Sequence, residues 1–274
     1  MRWALAGVAT GSVVAVVAFA PAAWLAGALG SATDQRLQLA DARGTVWDGS
    51  AVVVLTGGAD SRDASALPGR LQWRLGLDGA ALAMRARQAC CLNGEVLLRV
   101  VPGMGRVRIE LPAAVTVAGA VATAGTVGTV GQWPASWLMG LGTPWNTLQP
   151  SGTLQLSSPG LMLEWVQGRW RFSGRAELTL ASLASRLSTL DNLGSYRLTL
   201  SGDAARGEAA TVQLSTTAGA LQLSGTGQIL GPGAASRLRF TGQASAAAGS
   251  EAVLGNLLNI IGRRRGAFSV ISIG

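Results

Sequence analysis

Hydrophobic and polar positions follow two regimes along this chain. Trp3 to Leu29 is an apolar run, and from Trp3 onward no charge occurs before Asp34. Beyond it, short segments alternate apolar and polar residues between Gly-, Asp-, Asn- and Pro-containing turns. Leu71, Trp73, Leu75 and Leu77 fall on one side of a strand, with Gln72, Arg74 and Asp78 on the other. Asp78-Gly79 is a hairpin signal before a strand at Ala81 to Arg87, and Asn93-Gly94 leads into Val96, Leu98 and Val100. After Pro102-Gly103, Val107, Ile109 and Leu111 alternate with Arg106, Arg108 and Glu110. The pattern predicts a meander of antiparallel strands with one wet face.

Upstream, Leu37 and Leu39 mark a first strand. Gly44 to Gly49 form a turn around Trp47, and Val52 to Leu55 read as a strand buried on both faces. Residues 113 to 131 carry no charge and are rich in Ala, Gly, Thr and Val, which predicts an extended strand or crossover. Trp133, Trp137 and Leu141 recur at helical spacing with Pro134 in the first turn, and Trp145 to Pro150 form a second aromatic loop. Alternation resumes in Leu154 and Leu156, Leu161 to Trp165, Trp170 and Phe172, and Leu178 and Leu180. It continues through Tyr196 to Leu200, Val212 and Leu214, Leu221 and Leu223, and Leu238 and Phe240. Trp73 and Trp165 are assigned to the core.

One helix is predicted near the end. Ser250 caps it, and Val253, Leu254, Leu257, Leu258 and Ile261 form its apolar stripe. Gly262 stops it, Arg263, Arg264 and Arg265 suit its negative end, and Phe268 to Ile273 read as a last strand. Such a helix covers an open end of the sheet. Its sharper alternative is a helix lying on a bilayer with the three arginines at phosphate level. The predicted class is all-β, an antiparallel twisted sheet, sandwich or open barrel, with one N-terminal transmembrane helix and a short C-terminal helix. The expected divisions are 1–32, 33–130 and 131–274, the last two separate or continuous.

The N-terminal run is long enough for a bilayer, which needs about 20 apolar residues in a helix. Arg2 is the only side-chain charge before it, so the positive-inside bias leaves the N-terminus in the cytoplasm and the β-region outside. Ala20-Pro21-Ala22 and Ala26-Gly27-Ala28 have the form of signal-peptide cleavage sites. The single basic charge, the length of the run and Pro21 favour an uncleaved anchor. Either outcome exports the body.

Composition removes much chemistry. The absence of His excludes a Ser-His-Asp triad, His-ligated zinc and an imidazole base. No cofactor or metal is expected. All 22 basic residues are arginine and the net charge is +8, but the arginines are scattered along strands, which argues against nucleic acid. Cys90 and Cys91 are adjacent and fit no C-x-x-C spacing. They are either two small strand residues or, in an oxidising compartment, a vicinal or interchain disulfide.

Several pieces in order resemble type II secretion system protein N. They are the N-terminal apolar segment, Gly44-Thr45-Val46-Trp47-Asp48-Gly49, and Leu67-Pro68-Gly69-Arg70-Leu71-Gln72-Trp73-Arg74-Leu75. Trp133-Pro134-Ala135-Ser136-Trp137, Pro144-Trp145-Asn146-Thr147-Leu148-Gln149-Pro150-Ser151-Gly152 and Leu193-Gly194-Ser195-Tyr196-Arg197-Leu198 follow. Leu257-Leu258-Asn259-Ile260-Ile261-Gly262-Arg263-Arg264 and the strand ending Ile271-Ser272-Ile273-Gly274 complete the set. The resemblance implies a single-pass inner-membrane accessory component of the machine that exports folded proteins across the outer membrane. Its implied partners are the inner-membrane platform proteins and the outer-membrane secretin, and it implies no catalytic residue.

Two functions are therefore weighed. The first is a periplasmic scaffold acting through protein contacts, with Trp133, Trp137 and Trp145 as interface anchors. The second is a lipid-binding β-groove, with Arg74, Arg169 or Arg171 at its rim. A tightly packed sandwich would end the second. An enzyme ranks last, because the carboxylates lie in turns or on wet faces.

Overall fold

Almost every alternating segment pairs with the next one along the chain. The computed structural model describes residues 2–112, 128–167, 169–203, 210–230 and 237–274. Its first strands are β1 (Leu37–Gly44), β2 (Asp48–Thr56), β3 (Ala64–Ala66), β4 (Leu71–Asp78), β5 (Ala81–Arg87), β6 (Glu95–Gly103), β7 (Arg106–Leu111) and β8 (Gly128–Pro134). The remainder are β9 (Pro150–Val166), β10 (Arg169–Ser185), β11 (Gly194–Gly202), β12 (Ala210–Ala218), β13 (Leu221–Leu230), β14 (Arg237–Ala246), β15 (Arg263–Arg265) and β16 (Phe268–Ile273). They form one antiparallel sheet in the order β1-β2-β4-β5-β6-β7-β9-β10-β11-β12-β13-β14-β16-β15, with β3 beside β2 and β8 beside β9. The end strands β1 and β15 do not pair with each other, so the sheet is open. The expected antiparallel sheet is formed, and it is open and not closed.

The register places apolar side chains on one face throughout. Directly opposed residues of an antiparallel pair point to the same side. A single row thus runs Leu77–Leu82–Val100–Ile109–Leu163–Phe172 across six strands. The row Leu200–Val212–Gly227–Phe240–Ile273 continues that face. The opposite face is wet and laced by ion pairs between opposed or neighbouring residues, including Arg74–Asp48 at 3.2 Å, Arg87–Glu95 at 2.6 Å and Arg108–Glu164 at 3.2 Å.

The N-terminal run departs from its expectation. The continuous helix expected over Trp3–Leu29 is instead two, α1 (Arg2–Ala18) and α2 (Ala22–Ala32), broken at Pro21. Proline lacks the N–H that would continue the helix and disfavours helical geometry at Ala20. The break is fixed from outside, because Val46 N donates to Ala20 O (2.8 Å) and the Trp47 indole donates to Val17 O (2.7 Å). Among the described residues no helix is long and apolar enough to cross a membrane.

Two clusters cover the apolar face, each under a helix. Ala22 of α2 joins Leu39, Ala51, Val53, Leu67, Trp73 and Cys91, with Leu25, Ala26 and Leu29 packed alongside. Near the other edge, α4 (Glu251–Ile261) sets Leu254, Leu257 and Leu258 on Tyr196, Leu221 and Ala244. Leu254, Leu257 and Leu258 of the α4 stripe are therefore spent on the sheet, while Val253 is 41% exposed. Ser250 makes no side-chain cap, and Gly262 is extended rather than left-handed. The three arginines form β15 and pair with β16, so they do not sit on the helix's last turn.

Smaller expectations also change. Trp73 is buried as expected, but Trp165 is 36% exposed on the open part of the face. Val53 is buried while Val52 and Val54 are half-buried, so β2 alternates and is not enclosed on both sides. Trp133 closes β8, and only the residues after Pro134 enter a 3-10 helix, Ala135–Leu141. The extended segment expected at 113–131 lies outside the described residues up to 127, and its remainder opens β8.

Candidate functional site

The residues singled out by sequence gather mainly at one corner, where β8 joins the two halves of the sheet. Strand β9 is 17 residues long, so one neighbour cannot span it. Strand β7 pairs with Leu161–Val166, and β8 takes the part from Thr153 to Ser158. The outer side of β8 is held by the turn between β5 and β6. Gln132 N donates to Cys91 O (2.8 Å), Asn93 N donates to Val130 O (3.0 Å), and Leu92 bridges Gly131. Cys90 and Cys91 are bonded to each other as a vicinal disulfide, with Cys91 buried. A Cβ on Gly131 would meet Cys91 O at 2.4 Å and the Trp133 ring at 2.9 Å, so this approach requires glycine.

The tryptophans lie at the same corner. Trp133 and Trp137 stack with ring centroids 6.5 Å apart, and both pack on the α2 cluster. The Trp137 indole donates to Ser65 O of β3 at 3.0 Å, which ties the 3-10 helix to the first half of the sheet. Gly140 is buried so tightly that a Cβ there would sit 2.2 Å from Leu55 O. Trp145 is half-buried and opens the short α3 (Trp145–Leu148), while Thr143, Pro144 and Thr147 beside it are exposed. Asn146 donates to Asp63 Oδ2 (3.2 Å), fastening this loop to the segment before β3.

The arginines fall into different places. Arg263, Arg264 and Arg265 are exposed along the outermost strand, with no acid bonded to them among the described residues. Arg74 is committed to Asp48, Arg171 is exposed without an ion pair among the described residues, and Arg169 begins β10. Sequence reasoning did not foresee an open cleft of about 540 Å³ on the wet face, lined by Arg43, Asp48, Arg74, Arg85, Arg87 and Glu95. Alternation alone signals such wet faces, but their partners emerge only from the register. Nearby, the Arg70 guanidinium, then that of Arg43, holds the Asp41 carboxyl below its ordinary range.

Among the described residues no three His, Cys, Asp or Glu side chains converge on a metal position. The strongest remaining perturbation is at Tyr196, whose hydroxyl is pushed upward by burial while it donates to Leu221 O at 2.9 Å. That bond is structural, within the α4 cluster.

Comparison with known proteins gives one family. The model of the family described as type II secretion system (T2SS), protein N, matches residues 35–270, from just before β1 into β16. No curated protein and no solved structure matches the chain. The match covers well over half of the sequence and nearly all of the paired sheet, and the chain belongs to the type II secretion system protein N family.

Proposed function

We propose that this accessory component of type II secretion is held at the inner membrane by its apolar N-terminal segment, with its β-body on the periplasmic side. There it acts as a scaffold through contacts with the inner-membrane platform of the same machinery, and toward the secretin. The observation that carries this reading is the family match over residues 35–270, nearly all of the sheet. The geometry offers two means of contact. The edge of β1 away from β2 has no strand partner among the described residues, which suits strand addition. The 133–150 corner presents the exposed surface of α3 beside Trp145 on a rigid, multiply bonded loop.

Deleting that whole loop would also remove core tryptophans, so the sharper test changes its surface. The double variant Trp145→Ala, Thr147→Arg should melt like the parent but lose most co-purification with the platform and reduce secretion. Full co-purification and secretion would remove this corner from the interface. Protease added to spheroplasts should digest the body, and a protected body would sink the periplasmic placement.

A further inference from the structure

The wet face gathers arginines at one place more closely than pairing across strands favours. Arg43, Ser50, Gln72, Arg87 and Glu95 form a row of opposed residues across β1, β2, β4, β5 and β6. The neighbouring row on that face sets Asp48, Arg74 and Arg85 beside it. Arg74 and Arg85 are directly opposed, a position in which like charges repel and cost stability. The two rows line the open cleft of about 540 Å³, and every residue lining it belongs to one of those five strands.

The carboxylates at hand do not balance this charge. Asp41 is divided between Arg43 and Arg70, Glu95 is divided between Arg85 and Arg87, and Asp48 holds Arg74. Five guanidiniums thus share three carboxylates. Arg85 and Arg87 each give one nitrogen to Glu95, which leaves most of their N–H donors without a protein acceptor among the described residues. Arg43, Arg74, Arg85 and Arg87 are 52–75% exposed, so a ligand can reach those donors while the carboxylates orient the guanidiniums. An anion seated between Arg74 and Arg85 relieves their repulsion, and the planar fork of arginine matches the oxygens of a phosphate.

We infer that this cleft binds the phosphate of an anionic phospholipid in the leaflet where α1 ends. What adjoins the cleft selects the source of the phosphate. Gly44 and Asp48 line it, and the turn between them holds the end of α1, through Val46 N to Ala20 O and the Trp47 indole to Val17 O. That end of the helix is apolar and open, with Val16, Val17 and Phe19 51–78% exposed. Arg74 lies one strand spacing of about 4.8 Å from Asp48, and Arg85 lies two. A helix end seated at the boundary of the hydrocarbon therefore brings these guanidiniums to the headgroups. The inference rests on the reading that α1 holds the chain at the membrane, and it adds the lipid class met there.

The test places a photoreactive benzophenone side chain at Gln72, which is exposed between the arginines, and reconstitutes the full chain in phosphatidylethanolamine vesicles. The vesicles contain either phosphatidylglycerol or an equal amount of phosphatidylcholine, and lipid attached at position 72 is counted by mass spectrometry after illumination. Phosphatidylglycerol should label at least about tenfold more than phosphatidylcholine, and Arg74→Gln with Arg85→Gln should lower its label about tenfold at an unchanged melting temperature. Should that double variant not fold, Arg43→Gln serves in its place, with a smaller loss in the same direction. Equal labelling by the two lipids would overturn the inference. So would an equal loss in Arg106→Gln with Arg171→Gln, exposed arginines elsewhere on the wet face, because the attraction would then be diffuse. Inorganic phosphate or an oligoglutamate peptide that abolishes the label at millimolar concentration would reassign the cleft to a soluble anion and overturn the lipid source. Flotation separates the two layers of the argument. A parent chain that does not float with the vesicles sinks the membrane reading together with this inference, whereas a floating chain with an unlabelled cleft sinks the inference alone.

Discussion

The two ends of one sheet face share the same alternation and the same residue types, yet they differ in what lies over them. At the covered end Leu254, Leu257 and Leu258 are 0–1% exposed and Tyr196 is 3% exposed. At the bare end Leu77 is 83% exposed and Trp165 36%. A period-2 pattern sets which side of a strand is apolar. Whether that side becomes core depends on a second layer, and among the described residues that layer includes α2 at one edge and α4 at the other. Apolar residues in one register are thus buried at one end and partly exposed at the other.

The largest test of this contrast compares truncations. Leu257→Ala should cost about 2–5 kcal/mol, because the buried isopropyl group of the leucine and its contacts between α4 and the sheet are lost. Ile109→Ala, in the half-buried row, should cost less than about 1.5 kcal/mol, since part of the side chain is already in solvent. Urea denaturation of both variants measures the difference, and equal losses would erase the contrast.

A finer test removes only an oxygen. Tyr196→Phe should cost about 1 kcal/mol by leaving the Leu221 carbonyl unpaired. Burial raises the folded-state pKa of Tyr196 above its unfolded value, so its contribution is complete below about pH 10 and is lost as pH rises further. Melting temperature should therefore fall in alkali more steeply for the parent than for Tyr196→Phe. The smallest effect should come from the covered corner near β8. The Cys90–Cys91 bond joins adjacent residues and restricts little of the unfolded chain, so reduction should shift stability by less than about 1 kcal/mol. A larger loss on reduction would show that the 88–94 turn depends on the bond to hold β8.

Much of the sheet was legible in the residues. The final strand runs from Phe268 to Ile273 as its alternation predicts, and Asp78-Gly79 turns between β4 and β5. These features are local, set by turn chemistry and side-chain period. Trp165 shows where local information ends: it sits on the apolar side, as its spacing requires, but nothing in that spacing says that no layer covers it. The N-terminal run shows the same limit. Its apolar character was plain, but the break at Pro21 is stabilised by bonds from Val46 and Trp47, well beyond the run itself. At the candidate corner the tryptophans were visible as a cluster. Their inward commitment was not, because it depends on Ser65 and on the Cys91 turn, distant in sequence.

The order of the strands carries a consequence for biogenesis. Apart from β3, β8 and the late exchange of β15 and β16, each strand lies beside the one made just before it. A chain that emerges from its N-terminus can extend the ladder step by step, needing few partners that have yet to be synthesised. At every stage the newest strand is the raw border, and it stays so only until its successor arrives. The lid α4 follows β14, so the far half of the sheet waits uncapped until every strand from β1 to β14 has been made.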